Sequence, residues 1–275
     1  MRLVTLITDF GNSDYSVAAV KGAIYSHCPE VLVVDISHTI APFNILQAGY
    51  VLKNAYRHFP QGTIHVVGVD AERTPERNHQ VMLLNGHFFV GTDNGIFNLL
   101  SENEKDIQVF EIQTDQPITI FPTLDFFPKI VKEIYLNTPL DEIGIRTSNY
   151  LKTRMLQPEV SKDEKFIYGS IIYVDHYGNA VSNIHRSLFE RLNKGRKFQV
   201  ISQSYIFDKL SYLYTDVVNF NYPKNKWLPD GDKLILFNSA DYLQFSIYKS
   251  DLKNLGGAST LLGIDYMSPV TVQFL

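Results

Sequence analysis

The fold of this chain is decided by residues 3–15, which read Leu3-Val4-Thr5-Leu6-Ile7-Thr8-Asp9-Phe10-Gly11-Asn12-Ser13-Asp14-Tyr15. An apolar run, then a polar turn containing glycine, then a helical pattern from Val17 onward is typical of a buried parallel strand that leads into a ligand loop. Asp9 and Asp14 are therefore expected at the carboxyl end of this strand, where open α/β sheets bind ligands. The alternative is that Asp9 or Ser13 only caps the following helix.

The first half of the chain continues to alternate between the two patterns. Apolar runs at 31–36 and 64–70 predict further buried strands, while residues 17–27 and 45–57 show helical spacing. Like the first strand, these runs contain or end in an aspartate, Asp35 or Asp70. Because strands and helices alternate, the sequence predicts an α/β N-terminal domain with a mostly parallel sheet covered by helices.

The remainder of this domain contains a hairpin and two more helices. Asn85-Gly86 separates apolar runs at 80–84 and 87–91, and Asn-Gly is a strong signal for a two-residue hairpin turn. Helical patterns follow at 96–100 and 126–134. We predict an N-terminal domain over residues 1–150, a linker over 151–165 and a C-terminal domain over 166–275.

The C-terminal domain is predicted to be all-β and barrel-like. Short β-branched and aromatic runs, bounded by turn residues, lie at 166–174, 180–184, 197–202, 233–237, 242–247 and 269–274. Residues 203–227 are interpreted as a long loop or an insertion. Two polar breaks, at 175–179 and 237–242, are either ordinary β-turns or part of a site.

Composition excludes several classes of protein. The net charge of −4 disfavours a nucleic-acid partner, which would require a basic surface. The single cysteine, Cys28, can form neither an internal disulfide nor a thiolate zinc site. No apolar stretch approaches the roughly 18 residues of a membrane span, and no signal-peptide pattern is visible, so we expect a cytoplasmic protein without a membrane partner.

Six ordered motifs make the chain similar to a known family, the S-adenosylmethionine hydrolases, or hydroxide adenosyltransferases, which are related to S-adenosylmethionine-dependent fluorinases and chlorinases. The motifs are Thr8-Asp9-Phe10-Gly11 with Asp14-Tyr15 and Lys21-Gly22, Val34-Asp35-Ile36-Ser37-His38, Phe59-Pro60-Gln61-Gly62-Thr63, Asp93-Asn94-Gly95, Asp175-His176-Tyr177-Gly178-Asn179 with Ser182-Asn183-Ile184, and Asn238-Ser239. The resemblance implies hydroxide attack on the ribose C5′ of S-adenosylmethionine, which yields adenosine and methionine without a metal or other cofactor. It also implies a homotrimer whose sites lie between subunits.

The resemblance assigns three ligand-binding roles in the N-terminal domain. Asp9 would accept hydrogen bonds from the ribose 2′- and 3′-hydroxyls, since one carboxylate can accept two donors. Asp14 would face the amino group of the methionine part. Phe43 would form an aromatic wall beside the ribose.

Three further roles fall in the C-terminal domain of a neighbouring subunit. Tyr177 would stack on adenine, Asn179 would bind the edge of the base, and Ser239 would help to hold the amino-acid end.

The same resemblance names Asp70 and Arg77 as catalytic residues. The carboxylate would orient the attacking water or take its proton, and the guanidinium would favour the hydroxide form. The resemblance also implies a catalytic histidine, and Glu72, Thr74 and His79 are the nearest groups in sequence that could substitute for it.

Two segments depart from the family pattern. Ala71-Glu72-Arg73-Thr74 stands where the family has Pro-Gly-Val-Gly, and Pro122 stands where it has a catalytic histidine. Proline has neither a titratable group nor a backbone N–H. Three functions therefore remain open: a hydrolase that works without the histidine, a non-catalytic binding protein for S-adenosylmethionine or adenosine, and halide transfer, which the charge of Asp70 disfavours.

Overall fold

The computed structural model describes residues 2–102, 104–114, 119–221 and 231–275. The chain forms two compact units, Met1–Met155 and Leu156–Leu275. Each unit is built around a sheet of its own. The two units are called unit 1 and unit 2 below.

Unit 1 contains seven strands. They are β1 (Leu3–Thr8), β2 (Leu32–Ser37), β3 (Ile64–Gly68), β4 (His79–Leu84), β5 (His87–Thr92), β6 (Ile107–Ile112) and β7 (Gly144–Thr147). The first five correspond to the predicted strands, whereas β6 and β7 were not predicted.

The α-helices described in unit 1 are α1 (Ser16–His27), α2 (Ile45–Ala55), α3 (Ile96–Ser101), α4 (Pro122–Asp125), α5 (Phe127–Tyr135) and α6 (Leu140–Ile143). A 3-10 turn, Tyr56–His58, extends α2. Helix α2 begins after Asn44, whose side chain accepts a hydrogen bond from the Gln47 amide at 2.9 Å. An asparagine cap of this kind satisfies one of the unpaired amides of the first turn.

The sheet of unit 1 is mixed, so the prediction of a mostly parallel sheet is wrong in that detail. The strand order is β2-β1-β3-β5-β4-β6-β7. Pairs β1–β2, β1–β3 and β3–β5 are parallel, whereas β4–β5, β4–β6 and β6–β7 are antiparallel. The change from parallel to antiparallel pairing begins at the hairpin between β4 and β5. Asn85 and Gly86 have φ of 51° and 78° and form the tight turn that places β5 antiparallel to β4.

Helices cover both faces of this sheet. Val4 and Leu6 of β1 pack with residues of α1 and α5 on one face, and Ile7 packs with residues of α2 and α3 on the other. Burial on both faces accounts for the nearly continuous apolar sequence of β1. Because β1, β3 and β5 are parallel neighbours, their carboxyl ends lie at one edge of the sheet.

Buried histidines are a second feature of unit 1. Thr5 Oγ1 lies 2.6 Å from His65 Nδ1, and the His65 ring stacks on Phe89 at 4.7 Å between centroids. Burial, assisted by His87, lowers the pKa of His65 from 6.5 to about 3. Burial and the charge of Arg73 lower the pKa of His79 to about 4. Both rings are therefore neutral in the folded chain near pH 7.

We expect the free energy of unfolding to fall by about 4 kcal/mol between pH 7.5 and pH 5.0, about 2 kcal/mol from each of His65 and His79. In the unfolded chain a histidine binds its proton near pH 6.5, whereas these two do so only near pH 3 and pH 4 when folded. Stability is thus lost as the pH drops below 6.5. Urea unfolding followed by circular dichroism measures the difference. His79→Gln should reduce it by about 2 kcal/mol, and equal stability at the two pH values would contradict the prediction.

Unit 2 is predominantly β. Its strands are β8 (Glu159–Val160), β9 (Phe166–Val174), β10 (Ala180–His185), β11 (Phe198–Ser202), β12 (Tyr205–Phe207), β13 (Leu210–Ser211), β14 (Lys233–Phe237), β15 (Tyr242–Ile247) and β16 (Pro269–Phe274). Two helices accompany them, α7 (Arg186–Asn193) and α8 (Ala258–Leu261). All six strands predicted for the C-terminal domain are present.

These strands form one sheet that curls until it is nearly closed. The order is β12-β11-β16-β9-β10-β15-β14-β13, with β8 paired to β9. Strand β9 forms the corner, since its first half pairs with β16 and its second half with β10. The two end strands, β12 and β13, are joined by only two residues, Asp208 and Lys209. The enclosed face is filled by an apolar core that includes Ile171, Val200, Phe245 and Val272.

Two predicted segments have more structure than expected. Residues 151–165, predicted as a linker, include β8, and residues 156–165 belong to unit 2. Of the predicted loop or insertion at 203–227, residues up to 221 contain β12, β13 and a 3-10 turn, Tyr214–Val217. Residues 222–227 lie outside the described part of the chain. No helix in the described ranges combines the length and apolarity required to cross a membrane.

Candidate active site

Asp9 and Asp70 lie at the same edge of the unit 1 sheet. Strands β1 and β3 are parallel, and Thr8, the last residue of β1, pairs with Gly68, the last residue of β3. Asp9 follows Thr8 directly, and Asp70 is two residues beyond Gly68. The sequence prediction that strand-end carboxylates gather at one edge agrees with this register.

Asp70 and Arg77 are in direct contact. Arg77 Nη1 donates a hydrogen bond to Asp70 Oδ2 at 2.5 Å. The two side chains retain 23% and 27% of their exposure, so both remain accessible to water. A carboxylate oriented by a guanidinium can hold a water molecule and favour its deprotonated form.

The backbone of Asp70 is left-handed, with φ of 45°. This conformation is uncommon for a residue other than glycine and requires support from its surroundings. Asn94 supplies that support, since its buried Nδ2 donates to the carbonyls of Val69 at 2.9 Å and Asp70 at 3.1 Å. Asn94 Oδ1 in turn accepts the Ile96 amide at 3.1 Å, which ties the assembly to α3.

The loop between Asp70 and Arg77 closes without glycine. Thr74 and Arg77 exchange backbone hydrogen bonds at 3.1 and 3.2 Å, which makes a tight turn. The Ala71 carbonyl accepts the Thr92 hydroxyl at 2.7 Å, so the loop is also attached to β5. The replacement of the family's Pro-Gly-Val-Gly segment therefore still leaves Arg77 in contact with Asp70.

Asp9 is anchored by the segment that precedes α2. Its Oδ2 accepts the Phe43 amide at 2.8 Å. Phe43 has φ of 61° and a ring that is 69% exposed. The structure thus brings Asp9 and Phe43 together, as the predicted ribose site requires.

Asp14 has a different environment. It is exposed, and its Oδ1 accepts the Ser16 amide at 2.8 Å at the start of α1. The N-cap of α1 is Tyr15, without a side-chain capping hydrogen bond, so neither Asp9 nor Ser13 caps this helix. One carboxylate oxygen of Asp14 has no role in this contact.

Pro122 is the first residue of α4 and is buried, a position that suits proline because the amide there needs no helical partner. The three residues that the sequence suggested in place of the histidine expected at this position lie in different surroundings. Glu72 is exposed, and the Thr74 hydroxyl accepts the Glu76 amide at 3.3 Å. The His79 ring is buried against Phe126 and Phe127, with its Nδ1 3.0 Å from Thr92 Oγ1.

The residue after Pro122 is one that the sequence did not single out. Thr123 is buried above Gly68, where a Cβ would lie 2.9 Å from its methyl group. Its hydroxyl is buried without a hydrogen-bond partner among the described residues. No pattern in the sequence distinguishes such a threonine from one that caps a helix.

In unit 2, Tyr177 and Asn179 share the turn between β9 and β10. Asp175 Oδ1 accepts the amides of Tyr177 and Asn179, each at 2.9 Å, and Asp175 Oδ2 accepts Asn179 Nδ2 at 2.8 Å. The Tyr177 ring is 60% exposed. Asn179 Oδ1 is buried and has no partner among the residues described. The turn therefore offers a ring face and a fixed amide.

Ser239 lies at the opposite end of the same strands. Ala180 pairs with Phe245 and His185 pairs with Tyr242, so the turn before β10 and the turn before β15 are separated by the length of the β10–β15 ladder. Ser239 is exposed in the second turn. Unit 2 thus brings Tyr177 and Asn179 together but does not bring Ser239 to them.

Gly256 and Gly257 form a pair that was not predicted to be part of a site, and Gly257 packs on the turn that contains Tyr177. A Cβ on Gly257 would lie 2.5 Å from the Tyr177 carbonyl oxygen. The Ser259 amide donates to the Gly178 carbonyl at 3.1 Å. Two consecutive glycines before a short helix were the available signal for this close approach.

Residues 4–144 match the family profile described as SAM hydroxide adenosyltransferase N-terminal domain, and residues 169–271 match the profile of its C-terminal domain. The chain belongs to the SAM hydroxide adenosyltransferase family. The resemblance deduced from the six motifs is confirmed.

Similar proteins in this family carry two kinds of name. An (R)-S-adenosyl-L-methionine hydrolase of Methanocaldococcus jannaschii is 27% identical over 100% of this chain and 97% of its own length. A fluorinase of Actinoplanes sp. is 24% identical over 88% of this chain and 89% of its own length. A crystal structure of an uncharacterized conserved protein from Thermotoga maritima, 25% identical, superposes with a TM-score of 0.81 over 98% of this chain and 99% of that one.

No group of three or more potential metal-binding side chains occurs in the described part of this family member.

Proposed function

We propose that this chain hydrolyses S-adenosylmethionine to adenosine and methionine. A water-derived hydroxide forms a bond to the ribose C5′, the bond from C5′ to sulfur breaks, and the sulfonium departs as the neutral thioether of methionine. The sulfonium is already a good leaving group, so the protein needs to supply mainly an oriented, partly deprotonated water. No cofactor or metal is required.

The observation that carries the proposal is the 2.5 Å contact between Asp70 and Arg77 at the edge where β1 and β3 end. Asp70 would orient the water and accept its proton, while Arg77 would stabilise the developing hydroxide. Family membership and a hydrolase relative that aligns with the whole chain support the same reaction.

The ligand contacts proposed from unit 1 rest on its anchored residues. Asp9 would accept the ribose hydroxyls, for which Oδ1 remains while Oδ2 accepts the Phe43 amide. The exposed Phe43 ring would lie beside the ribose, and Asp14 would face the cationic amino group of the substrate.

The proposed contacts from unit 2 concern the base. Tyr177 would stack on adenine with its exposed ring. Asn179 Oδ1, which is buried and unpaired among the described residues, would accept a hydrogen bond from the edge of the base. For Ser239, which lies at the other end of the ladder, binding of the amino-acid end stays a prediction of the resemblance alone.

A second candidate is a non-catalytic protein that binds S-adenosylmethionine or adenosine. Pro122 favours it, because a buried proline at the start of α4 cannot assist a proton transfer. Halide transfer ranks lower, although a fluorinase is among the relatives, because the Asp70 carboxylate would repel an anion at the reacting position.

Incubation of the purified chain with S-adenosylmethionine in H₂¹⁸O tests the three candidates together. Hydrolysis predicts equal amounts of methionine and adenosine, with ¹⁸O in the 5′-hydroxyl of adenosine. Binding without turnover, measured by calorimetry, would support the second candidate. A parallel incubation with fluoride or chloride that yields a 5′-halogenated nucleoside would support the third.

We also propose that the protein is a homotrimer whose sites combine unit 1 of one subunit with unit 2 of the next. If so, co-refolding equal amounts of Asp70→Asn and Asn179→Ala chains should restore about a quarter of wild-type activity. An intact site requires an unsubstituted unit 1 from an Asn179→Ala chain and an unsubstituted unit 2 from an Asp70→Asn chain. Each is present with a probability of about one half. At a substrate concentration well below the wild-type KM, Asp70→Asn alone should be nearly inactive, and Asn179→Ala alone should be about tenfold less active because it loses one hydrogen bond to the base. Light scattering checks the trimer, and a mixture no more active than its components would contradict the shared site.

A further inference from the structure

A line of polar contacts runs from the surface of unit 1 to the base of the Asp9 loop. Lys21 Nζ on α1 lies 2.6 Å from Asp35 Oδ2 on β2, and Asp35 Oδ1 lies 3.1 Å from His38 Nε2. His38 Nδ1 is 2.8 Å from Thr8 Oγ1 at the end of β1. The outer members are partly exposed, whereas His38 and Thr8 are buried.

The donors and acceptors along this line can be assigned. If Nε2 of His38 carried no hydrogen, its lone pair would face the negative Asp35 carboxylate, so we place the hydrogen on Nε2. The Nε2–Asp35 contact is an ion-pair contact and does not have the geometry of a regular hydrogen bond. Nδ1 is then an acceptor. The Phe10 amide points to Thr8 Oγ1 at 3.5 Å, which leaves the Thr8 hydroxyl hydrogen to be donated to His38.

Asp35 is held in its charged form by its neighbours. Burial works against ionisation, but the hydrogen bond from Lys21 and the contact with His38 outweigh it and lower the pKa of Asp35. The Asp35 carboxylate beside Nε2 favours the hydrogen on that nitrogen, which leaves Nδ1 facing the Thr8 hydroxyl.

His38 also contacts the far side of the Asp9 loop. Its carbonyl accepts the Gly11 amide at 2.7 Å. Gly11 has φ of 73°, a conformation that suits glycine. His38 thus contacts the residue before Asp9 through its side chain and the residue two positions after it through its backbone.

We propose that His38, with Asp35 behind it, is a positioning residue that fixes the direction of the Asp9 carboxylate. The inference rests on the proposed function, in which Asp9 accepts the ribose hydroxyls. His38 holds the ends of the Asp9 turn, and the Phe43 amide holds one carboxylate oxygen at 2.8 Å. The other oxygen is thereby presented to the ligand in a single orientation, without reorganisation on binding.

Thr8→Val is the central test, because valine keeps the shape of threonine and removes only the hydroxyl donated to His38. We expect adenosine to bind about five- to tenfold more weakly, the effect of losing one hydrogen bond that orients a ligand group. Thr8→Ser, which restores the hydroxyl, should recover most of the loss. Calorimetry with adenosine and with 2′,3′-dideoxyadenosine measures the effect, which should be small for the second ligand.

Unit 1 offers a matched control on the same strand. Thr5 is buried and its hydroxyl lies 2.6 Å from the Nδ1 atom of another histidine, His65. Thr5→Val therefore removes an equivalent pair at a distance from Asp9, and adenosine affinity should change less than about twofold. In an Asp9→Ala background, Thr8→Val should have no further effect on adenosine binding.

If Thr8→Val did not fold, Asp35→Asn would replace it, since Asp35 is 41% exposed and its change removes the charge behind His38. Equal losses of adenosine affinity in Thr8→Val and Thr5→Val would overturn the positioning role of His38. So would a loss from Thr8→Val that persists in the Asp9→Ala background. Neither result would contradict the proposed hydrolysis of S-adenosylmethionine. If the wild type bound no adenosyl ligand, the proposed function would fail instead. Hydrogen exchange of the Gly11 amide would then decide: faster exchange in Thr8→Val alone supports the positioning role, and unchanged exchange overturns it.

Discussion

Asp70→Asn should lower the turnover of S-adenosylmethionine by about 100-fold or more while changing its affinity only a few-fold. Asparagine has the shape of aspartate, so the loop and the contact with Arg77 at 2.5 Å can persist in altered form. It cannot accept a proton, and it removes the charge that orients the water. Single-turnover kinetics and calorimetry measure the two quantities separately.

Glu72→Gln is the matched control, because it removes the same charge from an exposed position two residues further along the loop. Its turnover should stay within about twofold of the wild type, as for a surface substitution. Arg77→Met should resemble Asp70→Asn, since it removes the other half of the pair. Wild-type turnover in Asp70→Asn would mean that another group activates the water.

The features of unit 1 that the sequence predicted correctly are those that depend on local order along the chain. Asp9 and Asp70 follow apolar runs, and parallel strands must end at the same edge, so their proximity follows from topology. The hairpin at Asn85 and Gly86 was equally local, because only a few residue types accept positive φ at both positions.

The mixed sheet could not be predicted in the same way, although the sequence does predict the hairpin that begins its antiparallel part. The hairpin fixes β4 as antiparallel to β5. Whether the following strands add beside β4 or elsewhere depends on packing across long sequence separations. β6 and β7 join on the β4 side, and β7 has only four residues, two of which are exposed. So short a strand has little periodicity to detect.

The supporting residues of the site were harder to predict than the residues they support. Asn94 belongs to one of the sequence motifs, but its hydrogen bonds to the Val69 and Asp70 carbonyls join residues that are 24 or more positions apart. His38 was likewise part of a motif, and its contact with Thr8 spans 30 residues. The β10–β15 ladder separates Ser239 from Tyr177, a distance that the sequence motifs do not reveal, and the role of Ser239 stays a prediction.

Asp9→Ala should weaken the binding of adenosine by about 2–3 kcal/mol, or about 30- to 150-fold in Kd, the loss expected when hydrogen bonds to a charged group are removed from a closed site. The same substitution should weaken 2′-deoxyadenosine less, because that ligand lacks one of the two hydroxyls. Calorimetry with both nucleosides, on the wild type and the variant, gives the four values required.

Asp9→Ala also removes the acceptor of the Phe43 amide, and a second substitution separates that effect from ligand binding. Asp9→Asn keeps an oxygen that can accept the amide and loses only the charge. If Asp9 binds the ribose, Asp9→Asn should recover part of the affinity for adenosine. The ratio of the dissociation constants of 2′-deoxyadenosine and adenosine should remain smaller than in the wild type. If Asp9 only anchors the Phe43 segment, Asp9→Ala should weaken the binding of both nucleosides by the same factor. Asp9→Asn should then restore the binding of both nucleosides equally. That equal loss would identify Asp9 as a structural residue of the loop and would remove the ribose contact from the proposed site.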